Sequence, residues 1–257
     1  MMAPRSPFVV IAMKSSRPQS LERLLQSQGF GSRKECRQLI ALGRVAVNGE
    51  VIDDARTEFL PEPSLCLTVD DADWLWRDKL YLALYKPAGY ECSHAPQHHR
   101  PVFSLLPRHF VQRGVQAAGR LDADTTGLLL LSDDGPWLHS LASPRRHVSK
   151  TYEVHTRHPV SAELIAALLA GVQLHDEPAP LAALACHQLD THRLSMTIDQ
   201  GKYHQVKRMV AAASNRVDAL HRVGIGALRL DHTPLSALQP GQWQELDATQ
   251  LAALHEA

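Results

Sequence analysis

Gly119-Arg120-Leu121-Asp122-Ala123-Asp124-Thr125-Thr126-Gly127 runs directly into Leu128-Leu129-Leu130-Leu131, which closes on Ser132-Asp133-Asp134-Gly135. A polar loop bounded by glycines and carrying two carboxylates therefore leads into a strand with no polar face. Such a loop can hold a carboxylate at the rim of a sheet, where functional side chains commonly sit. The plain alternative is a turn in which Asp124 and Thr125 only cap backbone groups, and for Asp124 that alternative stands beside the functional one.

Working outward, Leu80 to Tyr85 reads as a buried strand that stops at Lys86-Pro87-Ala88-Gly89, and Lys150 to Thr156 reads as another. Ser161 caps a helix running to Ala170, with Gly171 as its stop. Leu194, Met196 and Ile198 alternate as a half-buried strand, while Val206, Met209, Val210 and Ala213 fall at helical spacing. Strands dominate and the spacers do not repeat as βαβ units. The expectation is an α+β fold with a mixed, largely antiparallel sheet. Asp122-x-Asp124-x-Thr126 also admits a haloacid-dehalogenase phosphatase reading, with Asp122 as nucleophile and Asp124 as acid. That motif follows its apolar strand, whereas here the strand follows the motif, and no doubly wound pattern surrounds it.

Residues 20–67 form a different kind of unit. Leu21, Leu24 and Leu25 share one helical face that Gly29 ends, and Ser32 with Glu35 forms a capping box for a second helix. Val45 and Val47 alternate into Asn48-Gly49, a strong hairpin signal, and Val51-Ile52 returns. Between Leu21 and Val47 five basic residues (Arg23, Arg33, Lys34, Arg37, Arg44) face two acidic ones. Arg33, Lys34 and Arg37 gather around the start of the second helix, where free backbone N–H groups also favour phosphate. Residues 1–19 are expected to be a flexible extension, with Met13 as an alternative start. Residues 68–78, with Asp70, Asp71 and Asp73, are expected to be a mobile linker, and 79–257 the second domain.

The 257 residues suffice for one large and one small domain, and the 44% hydrophobic and 21% charged composition is that of a soluble chain. Phe8 to Met13 is too short to cross a membrane or to form a signal-peptide core, so the expected location is cytoplasmic. Net charge is zero, which leaves nucleic-acid binding to local patches. Cys36, Cys66, Cys92 and Cys186 make no CxxC pair, which argues against a disulfide framework or structural zinc. Cys92, His94, His98 and His99 fit no standard ligand spacing, so no metal is expected.

Gly-Arg-Leu-Asp-x-Asp-Thr-Thr-Gly-Leu resembles the central motif of pseudouridine synthases, in the branch acting on ribosomal RNA. Lys86-Pro87-Ala88-Gly89-Tyr90 resembles that family's Lys-Pro-x-Gly loop. Ser143-Pro144 with Lys150-Thr151-Tyr152-Glu153-Val154 resembles its second motif, and Gln200 to Met209 (Gln-Gly-Lys-Tyr-His-Gln-Val-Lys-Arg-Met) its third. Residues 20–67 resemble the S4 RNA-binding domain. The likeness spans residues from about 20 to the end. It implies an enzyme that breaks the bond between uracil N1 and ribose C1′, turns the base, and rejoins it through C5, with no cofactor.

The resemblance also assigns roles. Asp122 corresponds to the essential aspartate, which serves either as a nucleophile at C1′ or as a base at C2′; the residues do not distinguish the two routes. Either route needs an ionised carboxylate in an enclosed site, which desolvation opposes and a neighbouring cation offsets. Lys207 stands where many relatives have an arginine paired to this aspartate, without arginine's two-pronged geometry. Tyr152 corresponds to the aromatic residue stacked on the target base, and Val206 is expected to pack against the uracil. The nucleotide must leave its stack, and Arg120 corresponds to a residue that inserts into the gap or holds a phosphate. Arg145, Arg146, His147 and Lys150 read as a basic loop for the RNA backbone. The stretches 171–177 and 202–209 look most like the small-subunit type, so the expected partner of a monomeric chain is 16S rRNA or an assembling small subunit. A 23S rRNA enzyme is the alternative, and a non-catalytic RNA-binding assembly factor of the same fold is the other class.

Overall fold

The computed structural model describes residues 17–142 and 147–254. The chain divides into two compact units, 1–80 with 106–116 and 81–105 with 117–257.

In the first unit the helices Leu21–Ser27 and Arg33–Ala41 turn their apolar stripes to one core. Leu21, Leu24, Leu25, Cys36 and Ile40 are fully buried there, against Val45, Val47 and Leu67. Each fully buried leucine contributes at most about 1.5–3 kcal/mol. The capping box forms as expected: Ser32 accepts from the Glu35 backbone N–H, and the Glu35 carboxylate accepts from that of Ser32 at 2.7 Å. Val45–Val47 pairs with Glu50–Val51 across Asn48-Gly49, whose φ values of 51° and 89° are those of a two-residue hairpin turn.

Residues 68–78 depart from the expected linker. Cys66–Val69 pairs antiparallel with Ala72–Leu75, and Asp70 and Asp71, both in left-handed backbone, make the turn between them. The result is a four-stranded sheet in the order Glu50–Val51, Val45–Val47, Cys66–Val69, Ala72–Leu75. Asp70 and Asp71 lie at the turn and Asp73 in the strand after it, rather than in a solvated tether, and Val69, Trp74, Leu75 and Trp76 are the apolar signal that the charges obscured. Residues 106–116 also group with this unit instead of with 79–257. His109, on the short helix Arg108–Gln112, stacks on Phe30 at 4.5 Å and meets the edge of Trp74 at 4.2 Å. Arg113 adds hydrogen bonds to Gln28 at 2.8 Å and to the Arg77 carbonyl at 3.0 Å.

The second unit is built on a mixed sheet. Its strands run Ala185–Asp190, Arg193–Ile198, Lys150–Thr156, Val217–Ile225, Thr126–Ser132, Tyr81–Lys86, Trp243–Glu245, with short strands 116–117 and 228–229 paired at the side. All neighbours along this path are antiparallel except Thr126–Ser132 beside Val217–Ile225. That strand sits in the middle, which is why Leu128 to Leu131 are all fully buried and lack alternation. Arg193–Ile198 alternates as expected, with Leu194, Met196 and Ile198 inward. Ala162–Ala170 carries the expected Ser161 cap. Among the described residues no helix is long and apolar enough to cross a membrane. Arg145, Arg146 and the Ser143-Pro144 pair lie outside the described residues, as do residues 1–16 of the expected extension.

Candidate active site

The loop 119–125 is held at the sheet rim from both ends. At its end, Gly127 has φ +108° and lies so close to the neighbouring strand that a Cβ would come within 2.2 Å of the Arg222 carbonyl oxygen. Only glycine permits that approach. From below, the fully buried Lys86 donates from Nζ to the carbonyls of Thr125 at 2.8 Å, Pro87 at 3.0 Å and Ala123 at 3.3 Å. The Gly89 N–H donates to the Ala123 carbonyl at 2.7 Å. Burial lowers the Lys86 pKa. The Lys-Pro-Ala-Gly turn thus grips the backbone on either side of Asp124, and the carboxylates project from a fixed frame.

Asp122, about one-third exposed, has both oxygens engaged. Lys207 Nζ donates to Oδ2 at 3.0 Å, and His204 Nε2 lies 3.1 Å from Oδ1. The same Lys207 reaches Asp124 at 2.7 and 3.0 Å. One ammonium therefore bridges two carboxylates. For Asp124 burial is the largest single influence and would raise the pKa, but the hydrogen bond and charge of Lys207, with the backbone and Thr125 hydrogen bonds, together outweigh it and the value falls. Burial likewise opposes the charge on Lys207, yet its bonds to Asp124 and Asp122 hold its pKa above the ordinary lysine value.

Lys207 is placed by the helix Gln205–Ala212, whose Val206, Met209 and Val210 are buried. His204 precedes it in left-handed backbone, φ 46°, and Tyr203 stacks on its ring at 3.8 Å. The strained backbone turns the imidazole toward Asp122 and leaves Tyr203 outside. Two further ion pairs hold this region: Lys202 binds Glu177 and Arg208 binds Asp176. They tie together the stretches 171–177 and 202–209, which lie far apart in sequence.

These elements enclose a cleft of about 130 Å³, lined by Arg120, Asp122, Lys150, Tyr152, Val206, Lys207 and Arg222 among others. Five expected residues of the second unit, Arg120, Asp122, Tyr152, Val206 and Lys207, are thereby brought together. Lys150, expected on an exposed basic loop, lines the cleft instead. Burial and the nearby Arg222 push its pKa down to about 8, against the pull of Asp199. In the first unit Arg33 and Lys34 are exposed at the start of their helix, whereas Arg37 is already paired with Glu22. Sequence reasoning missed His204, Lys86 and Arg222. The first two lie inside motifs that had been singled out. Arg222 carried no local signal, because only strand pairing brings it to the cleft.

Comparison with known proteins agrees with this geometry. Residues 80–212 match the RNA pseudouridylate synthase family, and residues 19–62 match the S4 domain. The chain is 38% identical over 236 residues to the ribosomal small subunit pseudouridine synthase A of Salmonella typhimurium strain LT2, covering 91% of this chain and 99% of that protein. It is 36% identical over 236 residues to the Escherichia coli K12 protein of the same name, with coverage of 91% and 99%. A crystal structure of a pseudouridylate synthase superposes with a TM-score of 0.63 at 32% identity, covering 92% of this chain and 99% of that one. This chain belongs to the RNA pseudouridylate synthase family, in its S4-bearing, small-subunit type.

Proposed function

We propose that this protein converts one uridine of 16S rRNA to pseudouridine, with Asp122 as the residue that acts at the sugar. The observation that carries the assignment is the Asp122–Lys207 ion pair at 3.0 Å inside a cleft that also holds Tyr152 and Val206. Lys207 gives Asp122 a counter-charge that stays in place as RNA covers the site. Tyr152, buried in the cleft wall, offers a flat face to a flipped base, and Val206 offers apolar contact beside it. Arg120, exposed at the cleft's edge, is suited to the gap or the phosphate of the displaced nucleotide. Arg33 and Lys34 supply positive charge for structured RNA in the S4 unit. The names of the relatives favour small-subunit rRNA. The chemistry needs no redox partner or cofactor, because the product is an isomer of the substrate.

The test is tritium release from rRNA labelled at uridine C5, on separate small- and large-subunit substrates and on partly assembled particles. Wild type should release tritium from the small-subunit RNA alone. Asp122→Asn, which keeps the shape and removes the charge, should lose at least about four orders of magnitude, as removal of a central catalytic group does elsewhere. Release from the large-subunit RNA would move the target to 23S rRNA. No release by wild type from any of them would replace the enzyme reading with an RNA-binding role.

A further inference from the structure

Beneath the Asp122–Lys207 pair the cleft has a second group of charges with a different character. Tyr152 and Arg222 are direct cross-strand partners, and Lys150 sits two residues before Tyr152, opposite Ile198 on the other neighbouring strand. Tyr152, Arg222, Lys150, Ile198 and Leu220 all line the same cleft. Arg222 is 3% exposed. Its Nε donates to the Leu128 carbonyl at 2.7 Å, which anchors the guanidinium to the central strand, but its Nη2 is buried without a partner. Among the described residues no carboxylate pairs with Lys150 or Arg222. Asp199, the acid near Lys150, is instead bound to His147 at 2.7 Å. Two cations thus line a cleft whose acid, Asp122, is already engaged by Lys207. Burying an unpaired guanidinium is costly, and a fold retains such a group where something anionic completes it.

We propose that Lys150 and Arg222 form the floor that receives the uracil as an anion while it is detached from the ribose. The inference rests on the isomerase reading above. When the C1′–N1 bond breaks, the electron pair goes to N1, and the uracil departs with its negative charge shared onto O2 and O4. C1′ is taken up by the Asp122 carboxylate as an ester. In the other route Asp122 first removes the C2′ proton, and a C1′–C2′ double bond forms. Both routes expel the same anion, so the floor serves either. C5 then attacks C1′, releasing the Asp122 carboxylate from its ester or, in the other route, with the proton held by Asp122 returned to C2′; the C5 proton is lost, and N1 gains a proton. A base stacked on Tyr152 carries its carbonyl oxygens at its edges, within the reach of donors placed beside and across from that ring. Fixed donors aimed at developing charge in an enclosed site are the strongest single means of lowering such a barrier. A backbone phosphate is the poorer occupant, because Arg222 lies almost wholly below the surface.

The test uses the full chain and compares two RNAs carrying either uridine or 5-fluorouridine at the target position. Fluorine makes uracil a better leaving group, so a substitution that removes anion stabilisation should hurt it less. Lys150→Gln is the first variant, since Lys150 is only partly buried; Arg222→Lys is the second, with thermal melting to verify folding. Single-turnover loss of the N1-linked target nucleoside is followed by digestion and chromatography, because the fluorinated base has no C5 proton to lose and its product keeps the fluorine; RNA affinity is measured separately. The expected result for Lys150→Gln is a loss of about 100-fold on uridine, shrinking to about tenfold on 5-fluorouridine, at unchanged RNA affinity. Arg222→Lys should show the same narrowing with a smaller loss. Equal losses on both RNAs, or a loss of affinity that accounts for the loss of rate, would overturn the inference while leaving the isomerase reading intact. A wild type inactive on both RNAs would overturn that reading and this inference with it.

Discussion

The rim and the floor of the cleft use lysine in opposite ways. At the rim, Lys207 is shared by Asp122 and Asp124 at 2.7–3.0 Å, with His204 closing the second Asp122 oxygen. On the floor, Lys150 and Arg222 line the same cleft, and among the described residues neither has a carboxylate partner. The rim is therefore complete by itself, and its charges fix the geometry of the Asp122 carboxylate. The floor is incomplete, and its charges are held ready for a group that arrives with the substrate. The difference shows in the pKa values: engagement raises that of Lys207, whereas burial beside another cation lowers that of Lys150 to about 8. A buried cation with partners is part of the frame, and one without partners marks where charge will appear.

Breaking the rim should have the larger effect. Lys207→Met leaves Asp122 and Asp124 facing each other without a shared counter-charge, and a fall of about 100-fold or more in single-turnover rate is expected, with the RNA affinity barely changed. Lys207→Arg should stay within about tenfold of wild type, since a guanidinium can also serve two carboxylates. If Met and Arg behave alike, Lys207 is acting through packing and the contrast between rim and floor loses its electrostatic basis.

A third lysine sharpens the contrast by being purely a brace. Lys86 is fully buried, and its ammonium is bonded to three backbone carbonyls around the Asp122 loop. Lys86→Met keeps the length of the side chain and strands those carbonyls. The expected cost is about 2 kcal/mol in denaturant unfolding, with the slope of the transition unchanged. Residual activity should follow the folded fraction. A variant of normal stability that is inactive would move Lys86 from the frame into the chemistry.

What the sequence made legible follows the range of each signal. Capping by Ser32 and Ser161, the Asn48-Gly49 turn, and the alternation of Leu194, Met196 and Ile198 are local, and each appears in the fold as read. The Gly119–Gly127 loop and the 200–209 motif carry Asp122, Val206 and Lys207, which line one cleft, because a family motif encodes a three-dimensional site. Signals that depend on pairing were lost. Asp70, Asp71 and Asp73 read as a linker because their charge outweighed Trp74-Leu75-Trp76, and only the partner strand Cys66–Val69 makes them a hairpin. Residues 106–116 could not be assigned to the first unit without Phe30 and Trp74 to pack against. Arg222 is silent in sequence for the same reason, since its meaning lies in its register with Tyr152 and in the close approach of Gly127.

The smallest effect is also the most specific to the floor. Lys150 is charged below about pH 8 and loses its proton as the pH rises through that value, while Lys207 keeps its own. Between pH 7 and 9 the protonated fraction falls about tenfold, and the single-turnover rate should fall with it. The groups that set this titration are Arg222, which lowers it, and Asp199, which raises it and is itself bonded to His147. Stability should move the other way. The unfolded chain binds this proton up to the ordinary lysine range, the folded chain only to about 8, so the contribution of Lys150 to stability increases as pH rises between them. Lys150→Arg keeps the charge throughout and should abolish the decline in rate. A decline that persists in the arginine variant would have to come from another group, and the floor would then have no titrating member.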